Sequence, residues 1–333
     1  MTSARVATKI AIKLAISLLV GGVCLWLAAR QVDAAELLSA LSGFSLLYLF
    51  PLVGISLLIQ VFRAWRWRIE LSPLEDLPFS LTWQVVAVAY MMINVLPFRL
   101  GEPVRPLLMS WKSSIAVPAI VGNWVFEKMM DTAAMVLFIH IALVANDLPH
   151  WAHKASAGSL VAFCTLLFIV VGFWLGGERF FNATIGRLLP AGAQLWCLHV
   201  LSSARDGLQI LPNKRLVGVV FLVTLGLWFL PILSSYVLML AFDLQLPFAA
   251  ALVVFVAIGV GTALPSPPGM VGVFQIASVV ALGLFGVPKA EALAYGILLN
   301  AVQFFTLVAQ GLVALPMLGI GVGRVTRAAL AEA

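Results

Sequence analysis

An apolar run long enough to sit in a bilayer is interrupted twice in this chain, in the same manner and about half a chain apart. Leu77-Pro78-Phe79 precedes the first interruption and Leu246-Pro247-Phe248 the second. Leu96-Pro97 then answers to Leu264-Pro265, and Gly101 to Gly269, so proline and glycine lie four residues apart in both copies. The first copy runs Asn94-Val95-Leu96-Pro97-Phe98-Arg99-Leu100-Gly101-Glu102-Pro103-Val104-Arg105. Paired, Gly/Pro-broken apolar segments in two halves of a membrane protein point to the central binding site of a transporter. The hairpin breaks are Pro97 and Gly101 in the first copy, and Pro265, Pro268 and Gly269 in the second.

The 333 residues are 62% hydrophobic and 10% charged, against about 25% charged in an ordinary soluble domain. The chain therefore reads as a single integral membrane domain, 1–333, with no charge-rich stretch long enough for a soluble one. Its net charge of +6 is explained by basic residues on the cytoplasmic side, not by nucleic acid. Arg5, Lys9 and Lys13 precede an apolar run, as in a signal peptide. The run continues without a convincing cleavage site, so it reads as a retained first helix. Cys24, Cys164 and Cys197 form no CxxC or metal spacing, and neither do His140, His150 and His153. They support no metal, cofactor or redox role.

Spanning hydrocarbon needs about 20 apolar residues in helix. Such runs lie near 8–28, 45–67, 116–144, 158–175, 215–241 and 289–318. The broken regions 80–111 and 249–286 each read as a hairpin of two helices, either re-entrant or fully crossing. Both options add an even number of passes. The expected architecture is an all-α polytopic membrane protein: six full transmembrane helices plus two re-entrant helical hairpins. With the N-terminus in the cytoplasm, 16 of the 20 lysines and arginines fall inside, and only Arg30, Lys154 and Lys289 outside. Lys128 lies within a helix. This positive-inside bias places both termini in the cytoplasm. Repeat unit one, 45–144, then enters from outside and unit two, 215–318, from inside, which is an inverted repeat. Segment 29–44 reads as a short amphipathic surface helix, and segment 178–214 as lying along the cytoplasmic interface.

Arg99, Glu102 and Arg105 crowd the first break. A helix starting near Pro103 presents a positive N-terminus that attracts anions, and the two arginines add forked donors suited to phosphate. The alternative is plain anchoring at the headgroups. In the second break a helix should resume near Val271. Glu127, Lys128 and Asp131 lie in the apolar helix 116–144, with Asn123 one turn back on the face of Glu127 and Asp131. A charge at helix centre costs roughly 2.5–3.5 kcal/mol on insertion scales, so these residues mark a functional site or an ion pair. The structural alternative pairs Glu127 or Asp131 with Arg99, Arg105 or Lys128. Gln275, Asn300, Gln303 and Gln310 punctuate the second half. The first three are candidate substrate contacts and Gln310 a helix–helix hydrogen bond. Arg63-Ala64-Trp65-Arg66-Trp67-Arg68 fits an interfacial anchor.

The pattern Leu96, Pro97, Arg99, Gly101, Glu102, Arg105, followed by Glu127, Lys128 and Asp131 and then Leu264 to Gln275 with Phe285-Gly286-Val287, resembles the lysylphosphatidylglycerol synthase transmembrane region, or flippase-like family. The likeness covers roughly residues 10–320. Lys128 stands where that family usually has arginine. Pro268 and Gln275 replace its common glycine and glutamate, and Asn300 holds a position often basic. The resemblance implies a bacterial cytoplasmic-membrane protein that handles lipid. Its substrate would be an anionic or aminoacylated phospholipid, a hopanoid or a polyprenyl-linked lipid. The family's best-known members carry a soluble aminoacyl-transferase domain, which is absent before Ala333. The expected function is lipid translocation without chemistry. Two other readings stay open: a non-transporting partner of a lipid or glycan biosynthetic enzyme, and an intramembrane enzyme using Glu127 and Asp131 as acid and base.

Overall fold

The computed structural model describes residues 3–96, 101–145, 150–184, 203–262, 267–321 and 323. Every regular element among them is helical. In chain order these are α1 (Ser3–Ala29), α2 (Ala34–Ser42), α3 (Leu49–Leu71), α4 (Phe79–Val95), α5 (Val104–Lys112), α6 (Val117–Ala145), α7 (His150–Thr184), α8 (Lys214–Ala241), α9 (Phe248–Thr262), α10 (Val273–Gly283) and α11 (Lys289–Met317). Short 3-10 turns at Leu46–Tyr48 and Pro268–Met270 lead into α3 and lie in the second break.

Both Leu-Pro-Phe tripeptides start helices. The Pro78 carbonyl accepts from the amides of Leu81 and Thr82, and the Pro247 carbonyl from that of Ala250. Proline is tolerated there because the first turn of a helix has no use for its missing N–H. Each tripeptide leads into a short helix, a break, a second short helix and a helix of 29 residues. With α3 and α8 in front, the order long–short–short–long occurs twice.

Five helical stretches are long and apolar enough to cross a membrane: Leu46–Leu71, Val117–Ala145, Ser156–Gly177, Lys214–Ala241 and Lys289–Met317. Leu18–Ala29 and Ala34–Ser42, bent by 86°, make a sixth candidate when taken as one span. The bend sets α2 apart from α1, in keeping with the short helix expected within 29–44. The Asp33 carboxylate caps α2 by accepting from the Ala35 amide at 3.0 Å, which lets a new helix begin in a new direction. No residue of α2 is buried. The fourth crossing stops at Gly177 (φ 49°), where the Arg205 guanidinium donates to the Trp174 carbonyl at 2.9 Å. Residues 185–202 of segment 178–214 lie outside the described residues.

The chain divides into two compact units that cut across its sequence repeats. The first comprises Met1–Val61, Gln84–Arg105 and Phe229–Ala333, the second Phe62–Trp83 and Pro106–Trp228. The first unit builds around α10 and α11, with α1, α2 and α9 packed on them. Tyr295, fully buried, donates its hydroxyl to the Ser235 carbonyl at 2.7 Å and meets Phe242, which in turn meets Phe44. Lys289 donates to the carbonyls of Leu27 and Arg30, closing the C-terminal end of α1 with a cation, as the helix dipole favours.

Both breaks bring backbone against backbone. A Cβ on Gly101 would meet the main chain of Met92 and Ile93. In the second break Gly269 (φ +67°) and Gly272 (φ +91°) adopt left-handed geometry, and a Cβ on Gly272 would strike the Gly21 carbonyl of α1. The helix resumes at Val273, two residues later than expected, because Gly272 is its N-cap. Gly272→Ala combines a positive φ with a backbone clash and should cost roughly 1–3 kcal/mol. Gly283→Ala, with open space around it, should be nearly neutral. Thermal unfolding of the two variants in detergent checks the contrast.

Candidate functional site

Helix α6 has two characters. One side is apolar and tightly packed. Phe126, Met129 and Met130 join Val170, Leu208, Ile210 and Val220 in a buried core. Two glycines allow the approach: a Cβ on Gly122 would meet the Ala204 backbone, and one on Gly207 the Ala119 carbonyl and Asn123 amide. This packing fixes the rotation of α6 and thereby where its polar side points.

The polar side presents Asn123, Glu127 and Asp131, spaced four residues apart, so the three share a face. They meet α3. The Arg66 guanidinium places Nη2 2.6 Å from Glu127 Oε1 and Nη1 2.5 Å from Asp131 Oδ1. Its Nε lies 3.5 Å from Glu70 Oε1, one turn along α3. Helix α8 adds two neutral partners. Thr224 Oγ1 accepts from Arg66 Nη1 at 3.3 Å, and Trp228 Nε1 donates to Asp131 Oδ1 at 2.9 Å. Asn123 Nδ2 reaches the Glu70 carbonyl at 3.4 Å. Arg66, Glu70 and Glu127 are each 2% exposed or less, while the Asp131 side chain keeps 14%. One planar fork thus holds carboxylates from two helices in a region closed to water, a geometry that arginine can satisfy and lysine cannot.

Sequence alone places Arg66 in an interfacial anchor and looks to Arg99, Arg105 or Lys128 for the carboxylates' partner. The structure puts Arg66 inside and gives it both carboxylates. Arg63, Arg66 and Arg68 project in different directions, since residues two and three apart on a helix do not coincide. Arg68 remains outside, bonded to the Leu77 carbonyl and to the exposed Asp76. Glu70 was the available signal: a carboxylate four residues after Arg66 pairs with it on one face. Thr224 and Trp228 leave no such trace, because their partners are distant in sequence.

The remaining candidates are scattered. Lys128, next to Glu127 and so rotated away from it, sits half-buried with its Nζ 5.7 Å from the Trp124 ring centroid. Arg105 is buried and Glu102 half-buried at the start of α5 and just before it. Gln275 and Asn300 serve the second break itself. Gln275 Oε1 accepts from the Gly272 amide at 2.6 Å, and Asn300 Nδ2 donates to the Gly269 carbonyl at 2.8 Å. Gln303 is half-buried one turn beyond Asn300. Gln310 donates to Thr306 O, within its own helix, at 3.2 Å. Of the break residues, Gly101, Pro268 and Gly269 are described, while Pro97, Pro265 and Arg99 lie outside the described residues. His140 bridges within α6 and onto α7, Nδ1 donating to the Val136 carbonyl and Nε2 accepting from Ser156. Among the described residues no group of three His, Cys, Asp or Glu is placed to hold a metal ion.

Several apolar helices of membrane-spanning length, crossed by a buried charge network, define an integral membrane protein of helical type. The model of the lysylphosphatidylglycerol synthase TM region matches residues 10–311, and the chain belongs to that family. It is 24% identical over 225 residues to a protein of Methanocaldococcus jannaschii described as a UPF0104 membrane protein, covering 66% of this chain and 92% of that one. A second UPF0104 membrane protein, from Methanothermobacter thermautotrophicus, is 22% identical over 329 residues, covering 92% and 96%.

Arg66→Met strands three carboxylates, Glu70, Glu127 and Asp131, and should cost about 3–5 kcal/mol. Adding Glu127→Gln and Asp131→Asn should recover part of that loss. Arg68→Met, which breaks only an exposed pair, should cost less than about 1 kcal/mol. Unfolding midpoints in detergent for the four proteins measure the ranking.

Proposed function

We propose that this protein moves a lipid with an anionic headgroup between leaflets. The observation that carries the reading is the Arg66–Glu70–Glu127–Asp131 network inside two candidate spans. Buried ion pairs contribute little net stability compared with an apolar core. Ionisable side chains within a membrane span are by default part of a pathway for polar cargo. Membership of a family described by lysylphosphatidylglycerol synthase adds support for a lipid as that cargo. Asp131, the most exposed acid of the network, is where a headgroup first competes for Arg66. The chain carries no chemical step in this reading: both acids that proton transfer would need are already bound by one guanidinium.

The proposed topology has both termini in the cytoplasm, six crossings, and two re-entrant hairpins formed by α4–α5 and α9–α10. Their lengths of 17, 9, 15 and 11 residues fall short of the roughly 20 needed for a crossing. The first hairpin dips from the cytoplasm and the second from the opposite side, so the repeats are inverted. Substrates in scope are anionic or aminoacylated phospholipids, hopanoids and polyprenyl-linked lipids, in a bacterial cytoplasmic membrane.

Purified protein in liposomes should speed the appearance of a labelled anionic phospholipid in the outer leaflet. Glu127→Gln and Arg66→Lys should slow this at least about tenfold, the equivalent of one charge-assisted hydrogen bond. Wild-type rates no higher than protein-free liposomes, or unchanged rates in both variants, would sink the reading. The topology has its own measurement. In a cysteine-free background, Glu102→Cys should label from the cytoplasmic side and Val271→Cys from the other. Labelling of both from one side rejects the inverted arrangement.

A further inference from the structure

Resting on the translocation reading above, we infer that Lys128 is the cation that binds the phosphate of the lipid headgroup on its way across the membrane. Helix α6 carries three ionisable side chains within little more than one turn, and the fold treats them differently. Glu127 and Asp131 are committed to Arg66. Lys128 is turned about 100° from Glu127 and has no carboxylate within ion-pair distance among the described residues. Its ammonium faces the Trp124 ring instead. An indole face attracts a cation, yet it covers one side of a group that has three donors and no acceptor. The residue is half-buried, so it is not enclosed by protein on every side.

Depth makes the arrangement meaningful. Lys128 is the twelfth of the 29 residues of α6, about 16 Å from the nearer end at 1.5 Å per residue. In the proposed topology this places its ammonium below the headgroups. A positive charge held at that depth without a counter-charge is unfavourable, and its cost falls when an anion comes alongside. A phosphodiester brought to mid-membrane is unfavourable for the same reason. Each therefore lowers the cost of the other at the point where the barrier to headgroup passage is highest. A lysine suits the task better than a forked guanidinium, because a point charge attracts phosphate without dictating its orientation and so releases it. The two cations of the core thus divide the work. Arg66 is bound rigidly by protein acids, and Lys128 is left for the cargo. Free phosphate presents the same anionic oxygens as a lipid phosphodiester, so the experiment must separate the two.

The full chain is incubated in detergent with phosphatidylglycerol and the diacylglycerol of matching acyl chains, and retained lipid is counted by native mass spectrometry. Wild type should prefer phosphatidylglycerol by about tenfold or more, as expected for one charge-assisted contact. Lys128→Gln should abolish the preference, whereas Lys128→Arg and Trp124→Leu, which keep the charge, should retain it. Should Lys128→Gln fail to fold, Lys128→Met makes the same test with a side chain suited to an apolar span. A wild-type preference in the uncharged variant overturns the assignment. Displacement of the lipid by millimolar inorganic phosphate overturns a lipid as its ligand. Flipping in liposomes is read separately. Loss of preference in Lys128→Gln, in a protein that flips nothing, overturns translocation and leaves the phosphate site standing. Intact preference in Lys128→Gln beside Glu127-dependent flipping overturns the phosphate site alone.

Discussion

A guanidinium surrounded by carboxylates in an apolar interior sets the terms for the second compact unit. Moving any one of these charges out of water is costly, and each is tolerated only because the others are present. Arg66 answers that requirement with a planar fork. Two of its nitrogens reach acids on α6 and the third faces the acid one turn along its own helix. The neutral groups of α8, Thr224 and Trp228, take up hydrogen-bonding capacity that the ions leave over. The register of α6 is set by this demand as much as by the glycines behind it. A rotation of that helix would bury Glu127 or Asp131 without a cation and drive Gly122 off the Ala204 backbone.

The first unit solves a different problem. Its second break exposes backbone amides and carbonyls at a point where the helix cannot supply partners. The repair is local and made by side chains: Gln275 receives the Gly272 amide and Asn300 donates to the Gly269 carbonyl. Residues that look like a polar binding site in the sequence are thus employed in holding the broken chain. Helix α1 closes the arrangement by lying so near that Gly21 and Gly272 have no room for side chains. A broken segment braced in this manner keeps its shape without the regular hydrogen bonding that membrane helices normally rely on.

Under the proposed function these two solutions belong together. Charges that are neutralised inside the protein can be exchanged for charges brought by a substrate, and irregular backbone that is satisfied by side chains need not unfold in lipid. Lys128 fits neither pattern. Among the described residues it is neither paired with an acid nor part of a break, which makes it the informative exception in α6.

Much of the architecture was legible in the chain. The apolar runs, the repeated Leu-Pro-Phe helix starts, the glycines of both breaks and the charged face of α6 are properties of local spacing, and local spacing determines helices. Glu127 and Asp131 were also recognisable, since ionised groups in an apolar helix stand out whatever surrounds them. Their partner was not, because Arg66 lies in a basic-aromatic run that is equally at home at a membrane surface, and nothing local distinguishes it from Arg63 or Arg68. Gln275 and Asn300 were visible as polar residues, but their commitment to Gly272 and Gly269 was not. The sequence by itself determined a helical membrane protein with two interrupted segments and an unusual cluster of charge. Only the tertiary structure decided which cation meets which acid and which polar groups are already occupied, because those pairings join residues far apart in the chain through the packing angles of helices that no single segment specifies.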